Sequence, residues 1–475
     1  MSKRVLSVET SKMVGQEVTI KGWVNARRNM GKIVFLDIRD RGGILQAVGV
    51  PSQMDAVSVE TMKEVRPEWV LAITGLVQER GEKQKNPDMP TGNVELLIKK
   101  LEVLNTALTP PFEIDKNTIG INEELRLKYR YLDLRSERMK KNIILRNNVS
   151  QFFRKHLLAE GFLEIETPIL TKGTPEGARE FIVPSRVYPG QFYVLPQSPQ
   201  QFKQLLMVAG MEKYFQLARC FRDEDQRGDR QPEFTQLDIE MSFVEQEDVM
   251  SLIEAMMIEL VKTVTPEKRI QQIPFPRIPY KEAMEKYGND KPDIREDKND
   301  PNLLAFCWVV DFAFFEKTEP TSAEATAGKS GWTFSHNPFS APIPEHREQL
   351  IKKERIGEIV ADQYDIVLNG YEAGGGGIRN HTPEALRSVF EIMGFTDEQI
   401  NEQFGHMLEA FDFGAPPHGG IALGVDRVIA ILANEPNIRE VIAVPKTGDA
   451  RDLMMGAPSP LPRKSLEDVH IEIKK

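Results

Sequence analysis

The stretch Phe221–Phe243, FRDEDQRGDRQPEFTQLDIEMSF, constrains the chain more than any other. The run KYFQLARC before it is apolar-rich and reads as a β-strand. After Pro232, EFTQLDIEMSF alternates roughly as a second strand. Between the two crowd Arg222, Asp223, Glu224, Asp225, Arg227, Asp229 and Arg230, with Gly228 among them. The pattern predicts a hairpin whose strands carry an inward arginine and several acids, joined by a long charged loop. A solvated loop with chance charges is the competing reading of the pattern alone. Against it, Arg222, Glu224 and Asp238 fall within the strand-like runs, where a charge is costly without a partner or ligand.

A chain of 475 residues implies two or three domains, and an apolar content of 40% supports sizeable cores. No run of 18 apolar residues occurs, so no membrane span is expected. The opening MSKRVLSVETSK has no apolar signal core, which predicts a cytoplasmic protein. Cys220 and Cys307 are too few for a disulfide framework or a cysteine zinc site. A net charge of −10 argues against indiscriminate nucleic-acid binding, yet residues 1–41 hold nine basic and four acidic side chains.

Residues 1–105 read as five strands with one helix after the third, the order of an OB barrel. Such barrels stack single-stranded bases on exposed aromatics beside cations. Phe35 is the candidate platform, Arg28 the cation and Gln46 a base-edge reader, although alternation alone allows Phe35 to be a core residue. Residues 106–135, with their proline pair, suggest a hinge or linker, and residues 136–475 form the second domain. A long helix is expected from about Ser136 to Ala159, stopped by Gly161. QSPQQFKQLLM starts a helix with Pro199 at its first position and sets Gln200 and Lys203 on one turn.

Two further stretches carry chemistry. In YDIVLNGYEAGGGGIRNH, Asp365 and Glu372 stand seven apart and cannot share a face of an ideal strand. A bulge or turn at Asn369–Gly370 must intervene. Together the two carboxylates could hold Mg²⁺, with oxygen ligands and waters as that ion prefers. In HGGIALGVDRVIAILAN, a glycine-bearing strand runs into a helix starting near Asp426, with Arg427 in its first turn, where the helix terminus favours anions. The GKS of Thr321–Gly331 is not a phosphate loop, because Ala323 stands where glycine is required.

RDEDQRGDRQPEFTQLD closely resembles motif 2 of the bacterial-type aspartyl-tRNA synthetases, members of class II. WVNARRNMGKIVFLDIRDRGGILQ resembles their anticodon-binding domain, which places Phe35 among the base contacts. RYLDLR, FLEIETPIL as motif 1, TPEGAREF, QSPQQFKQ, the glycine run and HGGIALGVDR as motif 3 also resemble the family's stretches. The resemblance implies an N-terminal OB barrel and a class II catalytic domain, α+β, on a mostly antiparallel sheet. It implies a homodimer built around Pro168 of motif 1. Relatives of the bacterial type insert a whole domain after KPD; here the chain passes almost directly to the next strands, nearer in plan to the archaeal type.

The same resemblance implies residue roles. Arg222 and Arg427 are the catalytic cations, one at the α-phosphate and one at the γ-phosphate. Asp223, Glu224, Gln231, Glu372, Gly424, Val425 and Asp426 complete the ATP site, and Asp365 with Glu372 the Mg²⁺ site. Glu176, Gln200, Lys203, Asp238, His336 and Arg379, with Arg222, surround L-aspartate. Arg28, Met30, Phe35 and Gln46 meet the anticodon of tRNA(Asp), with tRNA(Asn) as a second candidate. Relatives that accept both tRNAs often carry His at the position of Met30, and stricter ones Leu; the alternative is that Met30 packs the turn and Arg80–Asn86 selects. Three rivals share parts of this pattern. An asparaginyl or lysyl enzyme would leave Arg379 and Lys203 unpaired. An ammonia-dependent asparagine synthetase should not need the barrel, and a tRNA-binding paralogue should lack the catalytic residues.

Overall fold

The computed structural model describes residues 4–31, 33–173, 177–225, 228–317 and 331–474. The chain divides into two compact units, 1–126 with 131–138, and 127–130 with 139–475.

In the first unit β1 (Glu17–Met30), β2 (Ile33–Asp40), β3 (Gly43–Gly49), β4 (Val70–Glu79) and β5 (Val94–Asn105) form one sheet, with α1 (Ala56–Glu64) between β3 and β4. The order β1-β2-β3-β5-β4 closes through pairing of β1 with β4, so no edge remains in the five-stranded barrel. Inward residues such as Ile20, Val24, Leu36, Ile38, Leu45, Leu71 and Ile98 fill it. Asp55 caps α1 by accepting from the Ser58 backbone N–H at 2.8 Å. Residues 106–135, expected as a linker, are more than a tether. Asp133 is fully buried and accepts from Thr118 at 2.5 Å and from Arg126 at 3.3 Å. Arg135 donates to Glu68 at 2.8 Å and lies over the Trp23 ring.

Helix α2 (Glu137–Ala159), in the second unit from Met139 on, has its end set by Gly161 at φ 81°, a left-handed stop suited to glycine. Its central sheet has eight strands: β6 (Leu163–Glu164), β7 (Lys213–Phe221), β8 (Glu233–Ser242), β9 (Arg277–Pro279), β10 (Phe306–Val310), β11 (Gln363–Leu368), β12 (Tyr371–Ile378) and β13 (His418–Gly424). They lie in the order β9-β10-β11-β12-β13-β8-β7-β6. The six inner strands are antiparallel, and only the edge strands β6 and β9 pair in parallel. The longer helices α3 (Gln200–Val208), α4 (Gln246–Val264), α5 (Pro383–Ile392), α6 (Asp397–Asp412) and α7 (Val425–Leu432) belong to the same unit. α4 and α7 bury Ile253, Met257, Leu260, Val428 and Ile429 in one core with β8 and β13. A short helix, Tyr280–Tyr287, is followed by residues 288–302 with no further helix or strand before Leu303–Leu304.

One expectation is corrected. β7 ends at Phe221, so Arg222 and Glu224 stand at the mouth of the loop and not in the ladder; of the three charges, only Asp238 is within a strand. The Arg222 N–H still donates in register to the Pro232 carbonyl, 2.9 Å away, but Pro232 has no N–H to return the bond, and the Asp223 N–H turns to the Arg179 carbonyl, 3.0 Å away, so the pairing stops.

Candidate active site

Two adjoining cavities, of about 220 and 190 Å³, lie over β8, β12 and β13 and share Arg222, Gln236, Glu372 and Ala422. The first also takes in Gln200, Lys203, Asp238, His336, Asp365 and Arg379. The second takes in Glu224, Asp229, Gln231, Gly424, Asp426 and Arg427. Residues far apart in sequence are thus gathered in one cleft.

Lys203, Asp238 and Arg379 of the first cavity form a quartet of charges with Glu240 behind them, each no more than 2% exposed. Lys203 Nζ lies 2.7 Å from Asp238 Oδ1 and 3.1 Å from Glu240 Oε2. Arg379 Nε lies 3.0 Å from Glu240 Oε1, and its Nη2 lies 3.3 Å from the Gly420 carbonyl. Sequence reading passed over Glu240. The available signal was spacing: Asp238 and Glu240 are two apart in a strand, hence on one face, while Leu237 and Ile239 serve the core. Gly420 makes room for it, since a Cβ there would come within 2.2 Å of Glu240 Oε2.

Burial acts to raise both acids, and the cations decide the outcome differently. At Glu240, Arg379 and Lys203 overcome burial and hold the carboxyl down to about 2. At Asp238, burial outweighs Lys203 and the carboxyl is raised. Glu240 therefore contributes stability that is complete above pH 4.5, its ordinary value, and is lost as pH falls towards about 2. Glu240→Gln is expected to flatten the acid limb of Tm against pH in that window. An unaltered limb in the variant would remove Glu240 from the account.

Arg222 differs from the quartet. Its guanidinium lies over the Phe234 ring, 5.2 Å from the centroid, and its Nε has no hydrogen-bond partner among the described residues. Arg427, in the first turn of α7, donates from Nη2 to Asp229 at 3.1 Å and from Nη1 to the Glu372 carbonyl. Glu224 faces Arg230 at 3.2 Å. Asp223 is exposed, and its carbonyl accepts from Arg179 Nε at 3.1 Å. His336 stands edge-on to Phe312, with 4.6 Å between centroids.

Four residues expected at ATP are engaged with the protein itself. Gln231 spends its amide on the Lys446 backbone, accepting at 2.7 Å and donating at 3.1 Å. Asp426 accepts from the Thr235 N–H at 3.0 Å and from Arg146. The Val425 side chain belongs to the core, and Gly424 offers only backbone to the cavity wall. Glu176 lies outside the described residues.

Asn369 and Gly370 both have positive φ, 52° and 84°, the geometry of a tight hairpin turn. The expected turn at Asn369–Gly370 is present, and a register shift after Ile366 adds a bulge that the sequence did not point to. The carboxylates meet at Gly375, where a Cβ would lie 2.7 Å from Asp365 Oδ1 and 3.8 Å from Glu372 Oε1. Among the described residues no cluster of three or more His, Cys, Asp or Glu forms a metal cage. Two hard oxygen donors suit Mg²⁺, which usually keeps waters and takes its remaining ligands from substrate phosphates. Burial and the neighbouring Glu372 push Asp365 well up, whereas Arg427 and Lys291 outweigh burial at Glu372 and lower it.

On the barrel, Phe35 is half-buried and outside the core, settling the choice that alternation left open. It is paired with Arg28 across the ladder, and Asp37 with Gln46. Arg28 donates to Asp37 at 3.0 Å and to Gln46 at 3.3 Å, and Gln46 donates to Glu95 at 3.1 Å. Met30, at the end of β1, is 71% exposed and so does not pack the turn.

Fold and cleft together define a class. A family model described as tRNA synthetases class II (D, K and N) matches residues 122–448, and one described as OB-fold nucleic acid binding domain matches 18–104. An aspartate–tRNA(Asp/Asn) ligase of Dehalococcoides mccartyi is 40% identical, with 98% of each chain covered. An aspartate–tRNA ligase of Staphylococcus aureus is 39% identical over the full length of both. The chain belongs to the aspartate–tRNA ligase family. The first of these alignments spans 598 positions against 475 residues here, so the bacterial relative carries more than a hundred residues without a counterpart. An asparaginyl-tRNA synthetase from Pyrococcus horikoshii, solved with asparaginyl-adenylate, shares the fold at a TM-score of 0.74 and 24% identity, covering 94% of this chain and 99% of that one. No described helix is long and apolar enough to cross a membrane.

Proposed function

We propose that this chain activates L-aspartate with ATP to aspartyl-adenylate and transfers the aspartyl group to the 3′ end of tRNA(Asp) in the cytoplasm. The observation that carries the reading is the buried quartet. Glu240 engages Nε and Nη2 of Arg379, while Nη1 has no hydrogen bond among the described residues, and Lys203 has a third N–H beyond its two carboxylate partners. Two cationic donors at the cavity floor match the side-chain carboxylate of aspartate better than an amide, which offers a single oxygen. Asp238 and Gln200, with Glu176, meet the ammonium.

The substrate α-carboxylate attacks the α-phosphorus in line, so two anions must be brought together. The task is positioning and charge stabilisation rather than proton transfer. Arg222, which has no ion pair among the described residues, takes the α-phosphate. Arg427 exchanges its contact with Asp229 for the terminal phosphate. Asp365 and Glu372 would hold Mg²⁺, which supplies further positive charge beside the triphosphate. Glu224 reads the adenine amino group, and Gln231 and Asp426 position the walls. No covalent enzyme intermediate is needed.

ATP–pyrophosphate exchange with aspartate, asparagine and lysine tests the proposal. Exchange with aspartate alone is expected; exchange driven by asparagine or lysine instead would overturn it. A homodimer through motif 1 is proposed as well, supported by Leu163, Ile169 and Leu170, which are 49%, 46% and 53% exposed. Sedimentation at micromolar protein should give twice the mass of the chain, and a monomer there would contradict it.

Met30 is proposed to restrict charging to tRNA(Asp). It is apolar, unable to donate a hydrogen bond, and stands in solvent beside Arg28 and Phe35. Wild type should aspartylate tRNA(Asp) about tenfold or more better than tRNA(Asn), and Met30→His should narrow the gap, since one hydrogen bond is worth about that factor. Equal wild-type efficiency on both would reverse the assignment, and an unchanged ratio in the variant would move the selector elsewhere.

A further inference from the structure

Gln200 and Gln204 stand one turn apart on the inner face of α3, 4% and 0% exposed, and His418 at the start of β13 is fully buried beside them. Three contacts join them in a line. Gln200 Nε2 is 3.1 Å from Gln204 Oε1, Gln204 Nε2 is 3.1 Å from His418 Nε2, and His418 Nδ1 is 2.7 Å from the Pro416 carbonyl oxygen.

The direction of the line is set at its far end. A carbonyl oxygen only accepts, so His418 Nδ1 carries the proton. Burial disfavours a second proton on the ring, which leaves Nε2 bare and able only to accept. Gln204 must then turn its NH₂ to the histidine and its carbonyl to Gln200. Gln200 in turn donates its NH₂ to Gln204, and its own Oε1 is the free end. Gln200 lines the first cavity, and Oε1 has no hydrogen-bond partner among the described residues.

We infer that His418 is a positioning residue that acts through Gln204 to hold the Gln200 carbonyl towards the cavity as an acceptor for the substrate's α-ammonium. The inference rests on the aspartate reading above. An amide without this relay turns over at little cost and presents NH₂ to an ammonium, donor against donor in a buried site. A backbone carbonyl two residues from His418 thereby fixes what the cavity offers its ligand.

The test uses His418→Phe and Gln204→Leu in the full chain, neither of which removes a group that touches substrate. Each is assayed by aspartate-dependent pyrophosphate exchange and by competitive inhibition with succinate, which keeps both carboxylates but lacks the ammonium. Each variant should raise KM for aspartate about tenfold, with kcat, KM for ATP and Ki for succinate within about twofold of wild type. The double variant should be no worse than the worse single, as links of one chain are not additive. Gln204→Glu keeps an acceptor towards Gln200 and pairs with a protonated His418, so it should restore most of the aspartate affinity. Equal weakening of aspartate and succinate would show general damage to the pocket and overturn the relay. So would unchanged aspartate KM in Gln204→Leu, which stands in for His418→Phe should that variant not fold. Wild-type exchange with aspartate is the control: its absence overturns the aspartate reading itself, whereas its presence with insensitive variants overturns only the relay.

Discussion

Arg222→Ala is expected to cut aspartate-dependent pyrophosphate exchange on the order of 10²-fold or more, while Tm stays close to wild type. The two halves of this expectation have separate causes. In the proposed mechanism a positioned guanidinium stabilises charge that develops at the α-phosphorus. Yet Arg222 forms no ion pair among the described residues and rests on the Phe234 ring. Its loss therefore strands no buried carboxylate, and the ring contact is worth about 0.5–1 kcal/mol at a partly exposed site. Near-normal exchange in the variant would sink its assignment to the phosphate. A large fall in Tm would mean that the residue is structural first.

Arg379→Leu is expected to abolish aspartate activation and also to destabilise the fold, by about 3–5 kcal/mol. From sequence the substitution looks like a clean test of side-chain selection. Glu240 changes that. Removing Arg379 leaves Glu240, fully buried, with Lys203 alone, which also serves Asp238. The double variant Arg379→Leu, Glu240→Gln removes one charge of each sign, and should recover most of the stability without recovering aspartate use. Thermal unfolding and pyrophosphate exchange on the three proteins separate the effects. Aspartate activation that persists in either variant would show that Arg379 is not the selector. A single variant as stable as wild type would show that the quartet is not energetically coupled.

Arg427 sits between these cases. It is parked on Asp229 and a backbone carbonyl, contacts that an incoming phosphate can replace. Three arginines expected to do similar work thus differ in how far the fold depends on each: Arg222 little, Arg427 moderately, Arg379 greatly. Side-chain identity is the same in all three, so the distinction lies in burial and partners.

Much of the fold was legible in the chain because its signals are local. Alternation with period two marks the barrel strands and β8, and the helical spacing of α2 ends at a glycine that supplies the left-handed stop. The spacing of seven from Asp365 to Glu372 demands an interruption of the strand, and Asn369–Gly370 supplies it. The motifs along the chain also carried the family, since each motif is a run of adjacent residues. The strand boundary at Phe221 was missed because it depends on where the Asp223 N–H finds its acceptor, the carbonyl of Arg179, over forty residues upstream.

The sequence by itself determined the elements, their order and the residue types available to the cleft, because periodicity, turn chemistry and contiguous motifs act over a few residues. Only the tertiary structure decided which charges neutralise which. Lys203 comes from α3, Asp238 and Glu240 from β8, and Arg379 from just past β12, and each is tolerated in the interior only because the others arrive there. The same holds for the direction of the Gln200 amide, set by a carbonyl at Pro416. Burial and charge balance are sums over everything that folding brings within a few ångströms, and the spacing of residues along the chain does not contain them.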